Sequence, residues 1–266
     1  MKTRVISAIV MCLVIIPILF IGGLPFKILA IVLAMMSMYE IMKARSKKSE
    51  IPLIIRIISY ILLVKFVCLW TSVYSANYEL IYKIMIAIFL LYFIPVVFIN
   101  DTEKYSVTDA LYVLGCTIFL GVAYNSFVLI SNIDFIYIFY LILVTTMTDA
   151  FAYFTGYFIG KHKLCEKISP KKTWEGAVGG SLVGTIIASL FYLFLINSSA
   201  NILLVIAVTL LLTIIGQIGD LFFSSIKRHY NIKDFSNLIP GHGGVLDRFD
   251  SIIFVVLTFI LFMNIL

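Results

Sequence analysis

The chain has 266 residues, of which 62% are hydrophobic and 13% charged, and its formal net charge is +6. Soluble domains average roughly 45–50% apolar and about 25% charged residues, so a water-soluble globule of this size is excluded and lipid must be the solvent for most of the surface. The basic balance does not indicate nucleic acid, because the Lys and Arg residues sit in short loops between apolar runs, as in the cytoplasmic loops of membrane proteins.

A membrane-crossing helix needs about 20 predominantly apolar residues. Runs of that kind lie near 5–22, 26–43, 51–70, 80–99, 109–130, 134–159, 175–195, 201–223 and 250–266. The first follows Lys2 and Arg4 like a signal peptide, but no A-x-A pattern closes it and another run starts just after Pro25, so it reads as an uncleaved span. A tight Gly22-Gly23-Leu24-Pro25 turn joins the first two runs. In the seventh, Gly176, Gly180 and Gly184 recur every four residues and make a smooth stripe suited to close helix packing. The expected fold is an all-α, polytopic transmembrane bundle of about nine spans. It divides into an N-terminal region, 1–130, with about five spans, and a C-terminal region, 131–266, with about four spans and two polar loops.

Loop charge orients this bundle. With the N-terminus inside, the connections near 43–50, 100–108, 160–174 and 224–249 also fall inside, and with Lys2 and Arg4 they hold sixteen of the chain's twenty Lys and Arg residues. The opposite connections, over 71–79, 131–134 and 197–201, hold none. The positive-inside rule therefore places the N-terminus and both long polar loops in the cytoplasm. Arg56, Lys65 and Lys83 fall within or at the ends of expected spans and have no assigned role. Cys12, Cys68, Cys116 and Cys165 show neither CxxC nor metal-ligand spacing, so no disulfide framework or zinc site is indicated.

Polar residues collect between 220 and 250. If the eighth helix continues past Asp220, Ser224 and Lys227 follow at i+4 and i+7 on its face. Asp247 and Asp250 share a face at the start of the ninth helix, where the helix dipole favours carboxylates. These three carboxylates suit a hard divalent cation such as Mg²⁺. Lys227, Arg228, Lys233 and Arg248 suit phosphates as charge-assisted donors. Pro240-Gly-His242-Gly-Gly244 supplies a turn able to present backbone N–H groups to an anion, with His242 placed to donate to a phosphate or to hold the loop. Any one of these charges alone reads as an interfacial anchor; together they point to phosphoryl or nucleotidyl transfer. A second cluster, Ser169-Pro-Lys171-Lys172-Thr173, precedes the seventh helix as a solvated basic loop or a phosphate clamp. Asp149, inside the sixth span among Thr145, Thr146, Thr148 and Tyr153, is either functional or a packed structural carboxyl.

The run Ser225-Ile-Lys227-Arg228, Lys233-Asp234 and Pro240-Gly-His242-Gly-Gly-Val-Leu-Asp247-Arg248-Phe-Asp250 resembles the signature of the phosphatidate cytidylyltransferase, or CDP-diacylglycerol synthase, family. Ser169-Pro-Lys-Lys-Thr-Trp-Glu-Gly176 and Asp149-Ala-Phe-Ala-Tyr153-Phe-Thr-Gly156 are similar to further family segments, so the resemblance covers 140–266 at motif level. It implies an enzyme of phospholipid biosynthesis that transfers cytidylyl from CTP to phosphatidate, giving CDP-diacylglycerol and diphosphate. It also implies Mg²⁺, a paired-metal site with K⁺ beside it, and a homodimer in a bacterial cytoplasmic membrane. On this footing Asp220, Asp247 and Asp250 are the expected metal residues, with Lys227 the fourth catalytic group. Arg228, Lys233, Arg248, Ser224 and His242 are the expected phosphate contacts, joined by Ser169, Lys171 and Lys172 from the preceding loop. The rival readings are a CTP-dependent transferase acting on another membrane lipid, and an ion-coupled transporter with Asp149 as its coupling site.

Overall fold

The computed structural model describes residues 2–47, 50–69, 78–99, 101 and 104–266. Each expected apolar run is helical within them: α1 (Lys2–Ile21), α2 (Gly23–Arg45), α3 (Leu53–Leu69), α4 (Tyr78–Ile99), α5 (Val107–Ile133), α6 (Phe135–Ile159), α7 (Trp174–Leu195), α8 (Ile202–His229) and α9 (Leu246–Phe262). Of these, α2, α5, α6, α7 and α8 are long and apolar enough to cross a membrane. Their outward residues are large and apolar, as at Phe194 (80% exposed) and Leu203 (77%), which water would not tolerate in such density. Most of the 71–79 connection lies outside the described residues, as does part of each of 43–50 and 100–108.

Local chemistry sets the helix ends. The Asp134 side chain accepts from the Ile136 N–H at 2.9 Å to start α6, and Asn201 accepts from the Leu203 and Leu204 N–H groups to start α8. The eighth helix runs on to His229 rather than stopping near 223. Lys227, Arg228 and His229 occupy its last turn, where positive charge meets the negative end of the helix dipole. The loop expected over 160–174 is more ordered than a basic loop needs to be: β1 (Lys163–Cys165) pairs antiparallel with β2 (Ser169–Thr173). A hairpin gives backbone groups beside apolar helices the partners they cannot forgo.

The chain forms two compact units, one of residues 1–129 with 234–245 and one of 130–233 with 246–266. In the first, buried hydroxyls join the helices. The Tyr92 hydroxyl donates to Ser59 Oγ at 2.9 Å and lies 3.0 Å from Thr117 Oγ1, and Ser37 Oγ meets the Tyr124 hydroxyl at 2.6 Å. Arg45, in the last turn of α2, reaches buried Asp109 of α5 with Nε at 2.8 Å and Nη2 at 2.5 Å.

In the second unit, α6 packs on α7, α7 on α8 and α8 on α9. The glycine stripe of α7 is what permits the first contact. A Cβ at Gly180 would come within 2.5 Å of the Thr148 carbonyl oxygen, and one at Gly184 within 2.6 Å of Thr148 Oγ1. A Cβ at Gly176 would lie 2.7 Å from the Ala152 carbonyl oxygen. The two backbones touch along the turns of α6 that carry Asp149, so close packing, as expected, is the role of this stripe. Away from that region Tyr140, Tyr192 and Phe259 fill the core, and the Tyr140 hydroxyl lies 2.8 Å from Thr209 Oγ1.

Candidate active site

The second unit holds a cavity of about 620 Å³ bounded by α6, the β-hairpin, and the facing parts of α7 and α8. Asp149, Tyr153 and Tyr157 line it from α6, at steps of four residues that keep them on one helix face. Lys163, Ser169, Lys171 and Lys172 come from the hairpin, and Gln217 and Asp220 from α8.

Side-chain and backbone contacts hold the hairpin over this cavity. Thr173 Oγ1 caps α7 by accepting from the Gly176 N–H at 3.2 Å, and the Trp174 N–H donates to the His162 carbonyl at 3.0 Å. Glu175 accepts from the Lys161 and His162 N–H groups, with His162 Nδ1 2.6 Å from its carboxylate. Arg228 then ties the far turn of the hairpin to α8, donating from Nε to the Ile168 carbonyl at 3.2 Å.

Charge in the cavity is paired but not cancelled. Lys172 Nζ stands 2.5 Å from Asp220 Oδ2, with both side chains about a quarter exposed, at 24% and 26%. That nitrogen is shielded from solvent, with Asp220 as its ion-pair partner. An ammonium carries three N–H donors, so an incoming acceptor can share it with Asp220. Ser224, one turn beyond Asp220 on α8, donates to Asp220 Oδ1 at 3.3 Å. Lys227, one more turn along and buried, donates to Asp247 Oδ1 of α9 at 2.7 Å, where Asp247 is only 4% exposed. Asp250, the next acidic residue of α9, accepts the Ser251 N–H at 2.8 Å and lies within electrostatic reach of Asp220, Asp149 and Lys227. Four carboxylates thus face two ammonium groups, Lys172 and Lys227, in a partly desolvated region.

The donor chemistry suits a divalent cation. The carboxylates repel one another and outnumber the paired lysines, and all are hard oxygen donors. Among the described residues no three acidic, His or Cys side chains converge on one point. Mg²⁺ is usually held by one or two carboxylates, with water and substrate phosphate completing its shell.

Most expected residues meet here. Ser224 bonds to Asp220, Lys227 pairs with Asp247, Asp250 lies within electrostatic reach of Asp220 and Lys227, and Ser169, Lys171 and Lys172 line the cavity. Lys233 and Arg248 are exposed and do not line the cavity, and Arg228 is occupied with backbone carbonyls. His242 belongs to the other compact unit, where its Nδ1 lies 2.7 Å from Ser7 Oγ. Sequence reasoning passed over Tyr157 and Gln217, read Lys163 as part of a solvated basic loop, and left Asp149 undecided. Helical spacing points to two of these, since Gln217 lies three residues before Asp220 and Tyr157 eight after Asp149. Lys163 enters only because the loop folds as a hairpin.

Comparison with known proteins agrees with this chemistry. A model of the cytidylyltransferase family matches residues 2–266. A Bacillus subtilis protein named phosphatidate cytidylyltransferase is 34% identical over 264 residues, which is 96% of this chain and 95% of that protein. Proteins of the same name from Staphylococcus haemolyticus and Staphylococcus aureus are 35% and 33% identical, each match covering 96% of both chains.

Proposed function

The chain belongs to the cytidylyltransferase family, and from that premise we propose that it is a membrane-embedded nucleotidyltransferase converting CTP and phosphatidate into CDP-diacylglycerol and diphosphate. The observation that carries this reading is the cavity in which Lys163, Lys171 and the Lys172 ammonium face Asp149 and Asp220, on helices whose outer surfaces are apolar. Such a cavity serves a substrate whose phosphate is polar and whose chains stay in lipid.

In the reaction an oxygen of the lipid phosphate attacks the α-phosphorus of CTP, a new P–O–P linkage forms, and the bond to diphosphate breaks. The nucleophile is already anionic, so no side chain has to remove a proton. The protein must instead bring like charges together and stabilise the charge that develops on the leaving diphosphate. Lys172, Lys171 and Lys163 supply that stabilisation at the cavity wall, and Ser169 adds a hydroxyl donor. Asp220 holds Lys172 in place, and Asp247 does the same for Lys227. A divalent cation, Mg²⁺ by family resemblance, would be held by Asp220 with Asp250 or Asp149 and would neutralise phosphate charge. K⁺ beside it, a homodimer, nine spans with the N-terminus in the cytoplasm, and residence in a bacterial cytoplasmic membrane complete the proposal.

The test is diphosphate release from CTP in proteoliposomes containing phosphatidate, an ether-linked phosphatidate or a polyprenyl phosphate. Release with phosphatidate, lost in Asp220→Asn and Asp247→Asn proteins that remain folded, is the expected result. Release with only another acceptor would redirect the substrate assignment, and full activity of both variants would overturn the site.

A further inference from the structure

The first compact unit has a cavity of its own, and the transfer reaction makes no use of it. It measures about 450 Å³ and is bounded by the end of α2, the connection that follows, and the first turns of α3. Buried Met42 and Ile51 give it an apolar floor. Lys43 and Arg56 bring one cation from each helix, and Tyr39 and Tyr60 bring one phenol from each.

These four groups form one cluster. Lys43 follows Tyr39 by one turn of α2, and its Nζ stands 5.7 Å from the centre of that ring. Tyr60 follows Arg56 by one turn of α3, and its hydroxyl lies within electrostatic reach of both Arg56 and Tyr39. Glu50 lines the cavity as well, so two cations against one carboxylate leave the lining with a net positive charge.

The cluster stands at the polar end of an apolar groove. Lys43 lies in the last turn of α2, a helix long and apolar enough to cross a membrane, and Arg56 in the first turn of α3. Cations at the ends of apolar helices lie at the depth of lipid headgroups. From there α3 carries Leu53, Ile57 and Ile61 at steps of four residues, and these are 64%, 50% and 52% exposed. On α2, Ile28 and Val32 share a helix face with Tyr39 and Lys43 and are also exposed. Both stripes run away from the connection, so each leads from the cations towards the membrane interior. A small soluble anion would use the two cations and leave the phenols, the floor and both stripes without a partner.

We propose that this cavity binds an anionic phospholipid of the surrounding bilayer: its phosphate rests between Lys43 and Arg56, and an acyl chain follows the apolar stripes of α2 and α3. The Tyr39 and Tyr60 hydroxyls are placed to donate to the oxygens between phosphate and chain. The site shares no residue with the cavity at Asp149 and Asp220, and it stands or falls independently of the reaction proposed above. Near the headgroups each Lys or Arg strengthens the hold on anionic lipid roughly fivefold.

The experiment titrates the full-length protein in detergent with phosphatidylglycerol or phosphatidylcholine of the same acyl chains. Bound lipid is counted by native mass spectrometry, and the unfolding temperature is followed in parallel, because a ligand of the folded state raises it. The wild-type protein is expected to prefer phosphatidylglycerol. Lys43→Gln and Arg56→Gln should each weaken phosphatidylglycerol binding roughly fivefold, and the pair together roughly 25-fold, with phosphatidylcholine unaffected. Glu50→Gln should tighten phosphatidylglycerol binding, a gain that damage to the fold would not produce. Both cations are exposed, so these substitutions are expected to leave the protein folded. Equal binding of the two lipids by the wild-type protein, or undiminished phosphatidylglycerol binding by the double variant, overturns the proposal. So does glycerophosphoglycerol, the same headgroup without chains, if it binds as tightly as the lipid, since the site would then serve a soluble anion. Lys172→Met is the control for lipid drawn to the other cavity: a loss of phosphatidylglycerol there, with none in the Lys43 and Arg56 variants, also overturns it.

Discussion

Replacing Lys172 with Met removes one cation from the cavity while keeping most of the side-chain volume. The ammonium is 2.5 Å from Asp220 and shielded from solvent, and its remaining N–H donors are expected to meet a substrate phosphate. A charge-assisted hydrogen bond of that kind is worth about 1.5–3 kcal/mol, which corresponds to a fall in kcat/KM of roughly 10- to 150-fold. Stability should change less. Breaking a fully buried pair costs about 3–5 kcal/mol and an exposed one about 0–1 kcal/mol. With side chains 24% and 26% exposed, the Lys172–Asp220 pair falls between these limits, and a coupling of about 1–2 kcal/mol is expected. The assay is a double-mutant cycle of Lys172→Met and Asp220→Asn, measured by diphosphate release and by thermal unfolding in detergent. The double variant should be more stable than the sum of the single losses allows. Additive unfolding energies, with kcat/KM of Lys172→Met near wild type, would refute both the pairing and the phosphate role.

Gly180→Ala places a Cβ 2.5 Å from the Thr148 carbonyl oxygen, so α6 and α7 must separate; a loss of about 1–3 kcal/mol should appear as a lower unfolding temperature. Arg45→Met removes the cation paired with Asp109, whose side chain is 2% exposed, and should cost about 3–5 kcal/mol in the same measurement. Removing divalent cations with EDTA should abolish diphosphate release, and adding back Mg²⁺ should restore it; activity that survives exhaustive chelation would exclude the metal role for Asp220.

The helices were legible because lipid imposes a simple rule on sequence: each crossing must be a long apolar run with its backbone satisfied internally. The signature between 224 and 250 was legible because its charges are rare in so apolar a chain. Asp149 was harder, since an acidic residue among threonines has the same local sequence whether it packs or faces a cavity. The hairpin was harder still, because Lys, Ser and Thr in a short basic loop carry no alternating apolar face to mark strands.

Composition, run length and motif spacing by themselves determined a helical membrane protein, and they pointed to Asp220, Lys227, Asp247 and Asp250 as the proposed phosphate-handling residues. Tertiary structure alone decided which charges meet. It paired Lys172 with Asp220 and Lys227 with Asp247, opened a cavity at Asp149, engaged Arg228 with backbone, and set Glu40 against residues some two hundred positions away in the chain. The reason is physical: hydropathy and helical periodicity act over one or two turns, whereas a charge's partner is set by how helices pack, and here that depends on glycines close enough for backbones to touch.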